Sequence, residues 1–361
     1  MILAYAAMRW SDTEGLIERG MGEGGYDVVA VPFHTDPRGA AYEHLIDELI
    51  EKTDRFLLVD RGSYDDDEIP GVSRVLQRLK PYLIESCTME EMMMQSGAMY
   101  SEGIYYIYRC TPKSGQILKE EANRFHDWLY PSLPDDLCFL KEDGSDYFFS
   151  VAHENIYGMG ITQEEASELM ERIPGLFFRL DRHREFESYL DDAIRHQTDV
   201  LQISSYHLTE IPERIRELTH AKKLEIFEQD IFRLPPALFE LKTLEELEIM
   251  TADLEGIPKG ISQLKQLQRL TIYCGSSHHL VPGWRAKPKS ELCFDSLPEE
   301  IGELTELVSL NVSYSGINEL PPELEKLENL RYLGVTNSLI EETPEFVSRM
   351  TWLQHVDLSC T

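Results

Sequence analysis

The segment LPEEIGELTELVSLNVS, residues 297–313, contains both halves of a unit that recurs through the second part of the chain. Its first half, LPEEIGELTEL, places apolar residues three and four positions apart, as on one side of a helical turn. Its second half, SLNVS, alternates polar and apolar residues, as in a strand with one buried side. The segment therefore predicts a short helical turn followed by a strand.

The unit repeats every 23 residues on both sides of one interruption. The apolar residues of the strands keep this spacing, and so do the prolines that open the helical turns. The strand residues are Leu201, Leu224, Leu247, Leu270, Leu310, Leu333 and Val356, and the prolines are Pro212, Pro235, Pro258, Pro298, Pro321 and Pro344. A fixed period of this length is typical of a solenoid, because each unit can bury its leucines only against its neighbours.

The LPxxIxxLxxLxxLxL spacing over residues 199–361 resembles the 23-residue form of the leucine-rich repeat family. The resemblance implies a curved solenoid with parallel strands on its concave face, and it implies protein–protein recognition as the usual role. The family commonly has Asn at the ninth position of LxxLxLxxNxL, where this chain has other residues. They are Tyr206, Gln229, Ala252, Gly275, Ser315, Ser338 and Thr361. We therefore expect small hydroxyls or water to satisfy the backbone groups there.

The interruption is a 17-residue insertion within residues 274–293. Leu270 and Pro298 lie 28 residues apart, whereas the matching residues of the next unit lie 11 apart. Counting back from Pro298 assigns Phe294 to the core position that Ile317 holds in that unit. The insertion is therefore expected to leave the solenoid after one strand and to return before the next buried residue, outside the stacked core.

The two ends of the insertion carry Cys274 and Cys293, with His278 and His279 between them. We expect two reduced thiols here. A disulfide and a zinc site of two cysteines and two histidines are the alternatives, although the spacing matches no standard zinc finger.

Within the insertion, Trp284 is followed by Arg285, Lys287 and Lys289. An exposed tryptophan beside cations is typical of a binding hot spot. The alternative is that Trp284 folds back on the solenoid and that the cations pair with its acidic surface.

The strand residues between the leucines should point into the hollow of the solenoid. Phe227, Met250 and Tyr273 occupy the same position in successive units, and an apolar stripe of this kind is typical of a contact surface. The alternative is that the stripe contacts the inserted loop. Further candidate binding residues on these strands are Arg269, Ser313, Tyr332 and His355.

Upstream of the repeats, residues 184–198 predict a helix that caps the first unit. Residues 1–183 predict a separate α+β domain of unidentified type, with a β-hairpin that turns at Asp143 and Gly144. The fold class is therefore α/β, a leucine-rich repeat solenoid preceded by an α+β domain. Within that domain, Thr162 and Glu165 predict a capping box at a helix start.

A further helix after residue 110 is predicted to include a set of apolar residues at helical spacing. They are Ile117, Leu118, Phe125, Trp128 and Leu129.

The strongest catalytic candidates are His153 and Glu154, near Asp135 and Asp136. A histidine beside carboxylates can perform acid–base chemistry or bind a metal. No HExxH motif, glycine-rich phosphate loop or nucleophile elbow accompanies them, so a strand-end hydrogen bond is the simpler interpretation.

The net charge of −31, from 65 acidic and 34 basic residues, makes nucleic acid and anionic membranes poor partners. It favours solubility or a basic protein partner. Six cysteines without a dense framework predict reduced thiols, and hence a cytoplasmic protein. We also expect a bacterial protein without a cofactor.

Together these features predict a protein-binding module that uses the concave stripe and the Trp284 loop. A specialised version is an immunity or inhibitor protein that covers a basic toxin or enzyme. The alternative is an N-terminal hydrolase or metal-dependent enzyme whose substrate is chosen by the repeats.

The last unit has no polar cap over its apolar residues, which are Trp352, Leu353, Val356 and Leu358. One hypothesis is that this end self-associates; the other is that the chain is truncated.

Overall fold

A computed structural model describes residues 30–62, 69–91, 103–228, 230–252, 254–274 and 293–359. The described residues form two compact units, 30–183 and 184–359. No helix in these ranges is long and apolar enough to cross a membrane.

The upstream unit contains an antiparallel sheet with helices between its strands. In the described residues the strand order is β1-β7-β6-β5-β2-β4-β3, and each neighbouring pair is antiparallel. The strands are β1 (Val31–Pro32), β2 (Arg55–Asp60), β3 (Leu83–Thr88), β4 (Ile104–Arg109), β5 (Asp135–Leu140), β6 (Asp146–Val151) and β7 (Ile156–Met159). The helices are α1 (Ala40–Lys52), α2 (Pro70–Leu79), α3 (Pro112–Glu121) and α4 (Gln163–Arg172).

Aromatic side chains fill the core of this unit. Phe56 on β2 stacks on Tyr108 of β4 with ring centroids 5.2 Å apart, and it contacts Phe139 of β5. The buried polar atoms of the aromatic residues are satisfied: Trp128 Nε1 donates to the hydroxyl of Tyr42 at 3.0 Å. Burial of rings with paired polar atoms is what stabilises a core of this composition.

The hairpin and the capping box are present where the sequence predicts them. Strands β5 and β6 pair, and Gly144 takes a φ of 88° in the turn between them. Thr162 and Glu165 form reciprocal hydrogen bonds at the start of α4.

The predicted long helix after residue 110 is wrong. Helix α3 ends at Glu121, and Ala122 has an extended backbone with φ of −140°. Phe125 begins a separate short 3₁₀ turn because its N–H and that of His126 donate to the carboxylate of Asp36, at 3.0 and 3.1 Å. The two donors are therefore satisfied by a distant side chain rather than by the preceding helical turn.

The downstream unit is a solenoid with one strand in each coil. Its strands pair in sequence order as a parallel sheet in which each leucine position aligns with the next, Leu247 with Leu224 and Leu270 for example. They are β8 (Val200–Ser204), β9 (Lys223–Phe227), β10 (Glu246–Met250), β11 (Arg269–Tyr273), β12 (Ser309–Ser313), β13 (Tyr332–Thr336) and β14 (His355–Asp357).

Short helical turns alternate with these strands. Each follows one of the periodic prolines, which lies just before the turn with an extended backbone and needs no N–H partner there. The turns are 3₁₀ at Glu213–Glu217, Pro236–Glu240, Lys259–Gln263, Glu299–Glu303 and Pro322–Lys326, and α-helical in α6 (Glu345–Arg349).

Helix α5 (Phe186–Arg195) precedes the first coil. The hydroxyl of Tyr189 donates to the carbonyl of Gln202 on β8 at 2.8 Å, and its ring stacks on Tyr206 with centroids 5.6 Å apart. These contacts hold the helix against the open end of the sheet.

The solenoid is continuous across the insertion. The N–H of Val308 donates to the carbonyl of Gln268 at 2.8 Å, and the strands on the two sides pair in full register. Phe294 is completely buried, and its carbonyl accepts the N–H of Gly316 at 2.8 Å. The stacked core is therefore built as if the inserted residues were absent.

Polar side chains inside the turns replace the asparagine of the family pattern, but in several coils they lie one position earlier than expected. Glu228, Thr251 and Cys274 are buried at the eighth position, whereas Ser315 and Ser338 are buried at the ninth. The hydroxyl of Thr251 donates to a backbone carbonyl of the preceding coil at 2.6 Å.

A left-handed backbone explains why the position changes between coils. Residues Tyr314 and Asn337, at the eighth position of their coils, have φ of 60° and 50°, and in each the next serine is buried instead. Side chains of the protein satisfy part of this edge, but the buried hydroxyl of Ser315 has no hydrogen-bond partner among the described residues. A positional count alone does not identify the residues that make these hydrogen bonds.

Candidate binding surface

The outward-facing side chains of the parallel sheet form three rows, because successive strands align residue by residue. We call this the open sheet face; it is the concave face in leucine-rich repeat proteins. The first row is Val200, Lys223, Glu246, Arg269, Ser309, Tyr332 and His355. The middle row is Gln202, Glu225, Glu248, Thr271, Asn311, Gly334 and Asp357. The third row is Ser204, Phe227, Met250, Tyr273, Ser313 and Thr336.

The third row contains three adjacent apolar side chains. Met250 aligns with Phe227 on one side and with Tyr273 on the other, and all three are half-buried. We call them the apolar row. At a strand spacing of about 4.8 Å, it extends over roughly 10 Å. The inward-facing residues of the same strands are fully buried, so the apolar row is not part of the core.

Tyr273 is the most constrained member of the apolar row. Its ring contacts Tyr314 with centroids 4.9 Å apart, and burial followed by the neighbouring Tyr314 raises the pKa of Tyr273 to about 12. The side chain of Tyr273 is also hydrogen-bonded to that of Tyr314.

Beside the apolar row, the first and middle rows carry charges. Lys223 forms an ion pair with Glu225 at 2.5 Å, and Arg269 pairs with Glu246. Glu248 aligns with Glu225 on the neighbouring strand. Burial, and then the charge of Glu225, raise the pKa of Glu248. Among the described residues, no cation is paired with Glu248.

The other half of the open sheet face is polar, and Asp357 on β14 supplies its carboxylate. The hydroxyls of Ser313 and Thr336 are hydrogen-bonded at 2.8 Å. A Cβ on Gly334 would lie 2.4 Å from Asn311 Oδ1, so a larger residue there would require the Asn311 side chain to move. Tyr332 is 45% exposed, and His355 is exposed on the last strand. The predicted binding residues thus divide into an apolar and charged half and a hydroxyl-rich half.

The residues of the inserted loop lie outside the described part of the chain. They are His278, His279, Trp284, Arg285, Lys287 and Lys289. Of the two cysteines at its ends, Cys274 is buried and Cys293 is exposed. In the described ranges, no group of three or more His, Cys, Asp or Glu side chains is arranged to hold a metal ion.

In the upstream unit, His153 and Glu154 lie on a short 3₁₀ turn after β6. His153 Nε2 is 3.7 Å from Glu154 Oε1, and both side chains are exposed. Asp135 and Asp136 form ion pairs with Arg61, and the N–H of Tyr130 also donates to Asp135. The two aspartates are therefore occupied by structural contacts.

At the last coil, Val356 is 40% exposed, whereas the matching Leu310 and Leu333 are completely buried. Trp352 is partly covered, and its indole N–H donates to the carbonyl of Leu327 at 2.9 Å.

Two residues of the open sheet face, Glu225 and Glu248, gain importance only in the structure, and so does Tyr314, which directly follows β12. The 23-residue register predicts that the two glutamates lie side by side. The sequence gives no reason to select these two carboxylates among the many acidic residues of the chain. Tyr314 had no sequence signal, because its contact with Tyr273 depends on the left-handed backbone at φ of 60°.

No model of a known protein family matches this sequence, and no curated protein matches it either. Solved structures similar to it include a leucine-rich repeat protein of Leptospira interrogans, 19% identical over 47% of this chain and 51% of that chain, with a TM-score of 0.28. The functional domain of InlJ from Listeria monocytogenes is 24% identical over 46% of this chain and 30% of that chain, with a TM-score of 0.34.

The leucine-rich repeat domain of the type III effector XopL is 24% identical over 48% of this chain and 57% of that chain, with a TM-score of 0.38. The matches span between 30% and 57% of these three proteins. The likeness is too distant to assign an activity, so the fold is established by the 23-residue register and the parallel sheet. Residues 199–359 have the leucine-rich repeat fold.

Proposed function

We propose that the protein is a protein-binding module and that its partner docks on the open sheet face. The observation that carries the proposal is the apolar row, Phe227, Met250 and Tyr273, on a sheet face whose other members are mostly polar. Three aligned apolar side chains that are only half-buried leave apolar surface in contact with water in the unbound protein, which is unfavourable in free energy. A partner that covers them would recover that energy, which is why such patches favour binding surfaces.

The acidity of the chain supports a basic partner. A net charge of −31 accelerates the encounter with a positively charged surface and repels nucleic acid. The specialised form of the proposal is an immunity or inhibitor protein that covers a basic toxin or enzyme.

The inserted loop is proposed as a second contact. It follows Cys274 in the sequence, and Cys274 directly follows Tyr273 of the apolar row. Trp284 and its neighbouring cations would then contact the same partner, with the tryptophan as the anchor.

The experiment begins with affinity capture of a partner by the full chain, followed by purification of that partner. The double variant Phe227→Ala with Met250→Ala should weaken the affinity by about 30-fold or more, equal to ~2 kcal/mol for the loss of hot-spot contacts. Its melting temperature should change little, because both side chains are outside the core.

Phe232 provides a matched control. It is a phenylalanine of the same coil, 46% exposed, and it lies outside the strands. Phe232→Ala should leave the affinity unchanged. Equal binding by the double variant and the unmodified protein would contradict the proposed site.

A further inference from the structure

We propose that the partner presents an extended segment with two features: a basic side chain that pairs with Glu248, and a bulky apolar side chain that packs on the apolar row. This inference rests on the proposed function and adds the chemistry of the docked segment.

Glu248 occupies an unfavourable position in the unbound sheet. It lies directly opposite Glu225 on the adjacent parallel strand. Like charges opposite each other in a sheet are destabilising, and the raised pKa of Glu248 reflects burial together with this repulsion. A cation placed over the two carboxylates would remove the penalty.

The nearby cations form their ion pairs with other carboxylates. Lys223 pairs with Glu225, and Arg269 pairs with Glu246. The charge of Lys223 offsets only part of the increase in the pKa of Glu248. Within the described part of the sheet, the half that contains the apolar row therefore has one carboxylate, that of Glu248, available for an outside cation. A partially desolvated carboxylate forms stronger charge-assisted hydrogen bonds than an exposed one.

The distance between Glu248 and Met250 matches the repeat of an extended peptide. Glu248 and Met250 are two residues apart on β10 and point to the same side of the sheet, roughly 7 Å apart. An extended peptide spaces its own residues i and i+2 by about the same distance. The matching segment therefore has Lys or Arg two residues from a bulky apolar residue.

Other occupants fit the charge less well. A second copy of this chain would bring a second net charge of −31 to an acidic surface. An RNA or DNA strand would meet the same repulsion. A basic and apolar protein segment complements both the carboxylate and the apolar row.

The test is a selection from a display library of short random peptides, with the full chain as the target. We expect enrichment of peptides with Lys or Arg two residues from Phe, Leu, Ile, Met, Trp or Tyr. The Glu248→Gln variant should bind the selected peptides about 10- to 100-fold more weakly, the effect expected for one lost charge-assisted hydrogen bond.

Glu306→Gln is the matched control, because it makes the same change of charge at an exposed residue between a turn and β12. It should leave the affinity unchanged. A second readout separates binding from folding: Glu248→Gln should melt at the same temperature or higher, since the substitution removes a repelled carboxylate.

Selection of peptides that lack basic residues would overturn the inference. Unchanged peptide affinity in the Glu248→Gln variant would overturn it as well. A lower melting temperature of Glu248→Gln would also count against it, because the carboxylate would then be stabilising the unbound sheet. If Phe227→Ala with Met250→Ala abolishes binding while Glu248→Gln does not, the inference fails and the proposed function stands. If neither variant affects binding, both fail.

Discussion

Replacing Phe294 by alanine tests whether one core runs through the solenoid on both sides of the insertion. Phe294 is completely buried, and its ring lies against the coil that precedes the insertion, 4.0 Å from where a Cβ on Gly256 would be. Its carbonyl accepts a hydrogen bond from Gly316 in the following coil. The residue therefore links the coils on either side.

The expected cost of Phe294→Ala is about 3–5 kcal/mol, the range for emptying a buried phenylalanine site that cannot collapse. The stability of a whole domain is about 5–15 kcal/mol, so the loss should be large. The backbone hydrogen bond to Gly316 persists in the variant, which makes the measured loss a report on side-chain packing.

The assay is urea unfolding of the full chain, followed by circular dichroism, with the slope m as a check on cooperativity. A matched deletion of residues 276–292 restores the 11-residue spacing of an uninterrupted unit. It should leave the solenoid folded and add about 1–2 kcal/mol, because closing a shorter loop costs less entropy. A loss below about 1 kcal/mol for Phe294→Ala would refute the continuous core, since so small a cost is typical of a surface site.

Three further predictions concern single interactions. Thr251→Val should lower the free energy of unfolding by about 1–3 kcal/mol, because a buried carbonyl loses its hydroxyl donor. Thr251→Ser keeps a hydroxyl and should be more stable than Thr251→Val. Equal stability of the unmodified protein and both variants would contradict this role. Thr162→Ala should cost about 1 kcal/mol through loss of the N-cap, measured by thermal unfolding, whereas an unchanged melting temperature would mean that the capping box contributes nothing. Burial, then the charges of Arg179 and His183, lower the pKa of His34 well below its usual value, so its neutral form contributes stability above about pH 6.5 that is lost on acidification. His34→Gln should remove this component from the pH dependence of unfolding. An identical pH dependence in the variant would show that the pKa of His34 does not differ between the folded and unfolded states.

The repeat could be predicted from the sequence because its signal is local and periodic. Each strand buries one side in the core. Leucines at a fixed spacing therefore determine which residues are buried and how the strands align. The same count predicts the core position of Phe294 and the alignment of Phe227, Met250 and Tyr273. These expectations need only the strand register, and the 23-residue period of the sequence determines that register.

The upstream sheet could not be predicted in the same way. Strand β2 pairs with β4 and with β5, so its neighbours come from much later in the chain. The end of α3 and the turn at Phe125 likewise depend on Asp36, 89 residues earlier in the sequence. No local pattern encodes a hydrogen bond that forms only when two distant segments fold together.

The sequence by itself determined the solenoid, its leucine core, the place of the insertion and the apolar row, because all of these follow from a period of 23 residues. The tertiary structure alone decided which charges on that face are neutralised, since ion pairing depends on where long side chains end rather than on their spacing. It also decided the contact between Tyr273 and Tyr314, which requires a left-handed backbone at Tyr314. Periodicity determines which side of a strand is buried, whereas the chemistry of the exposed side arises from contacts between side chains in space.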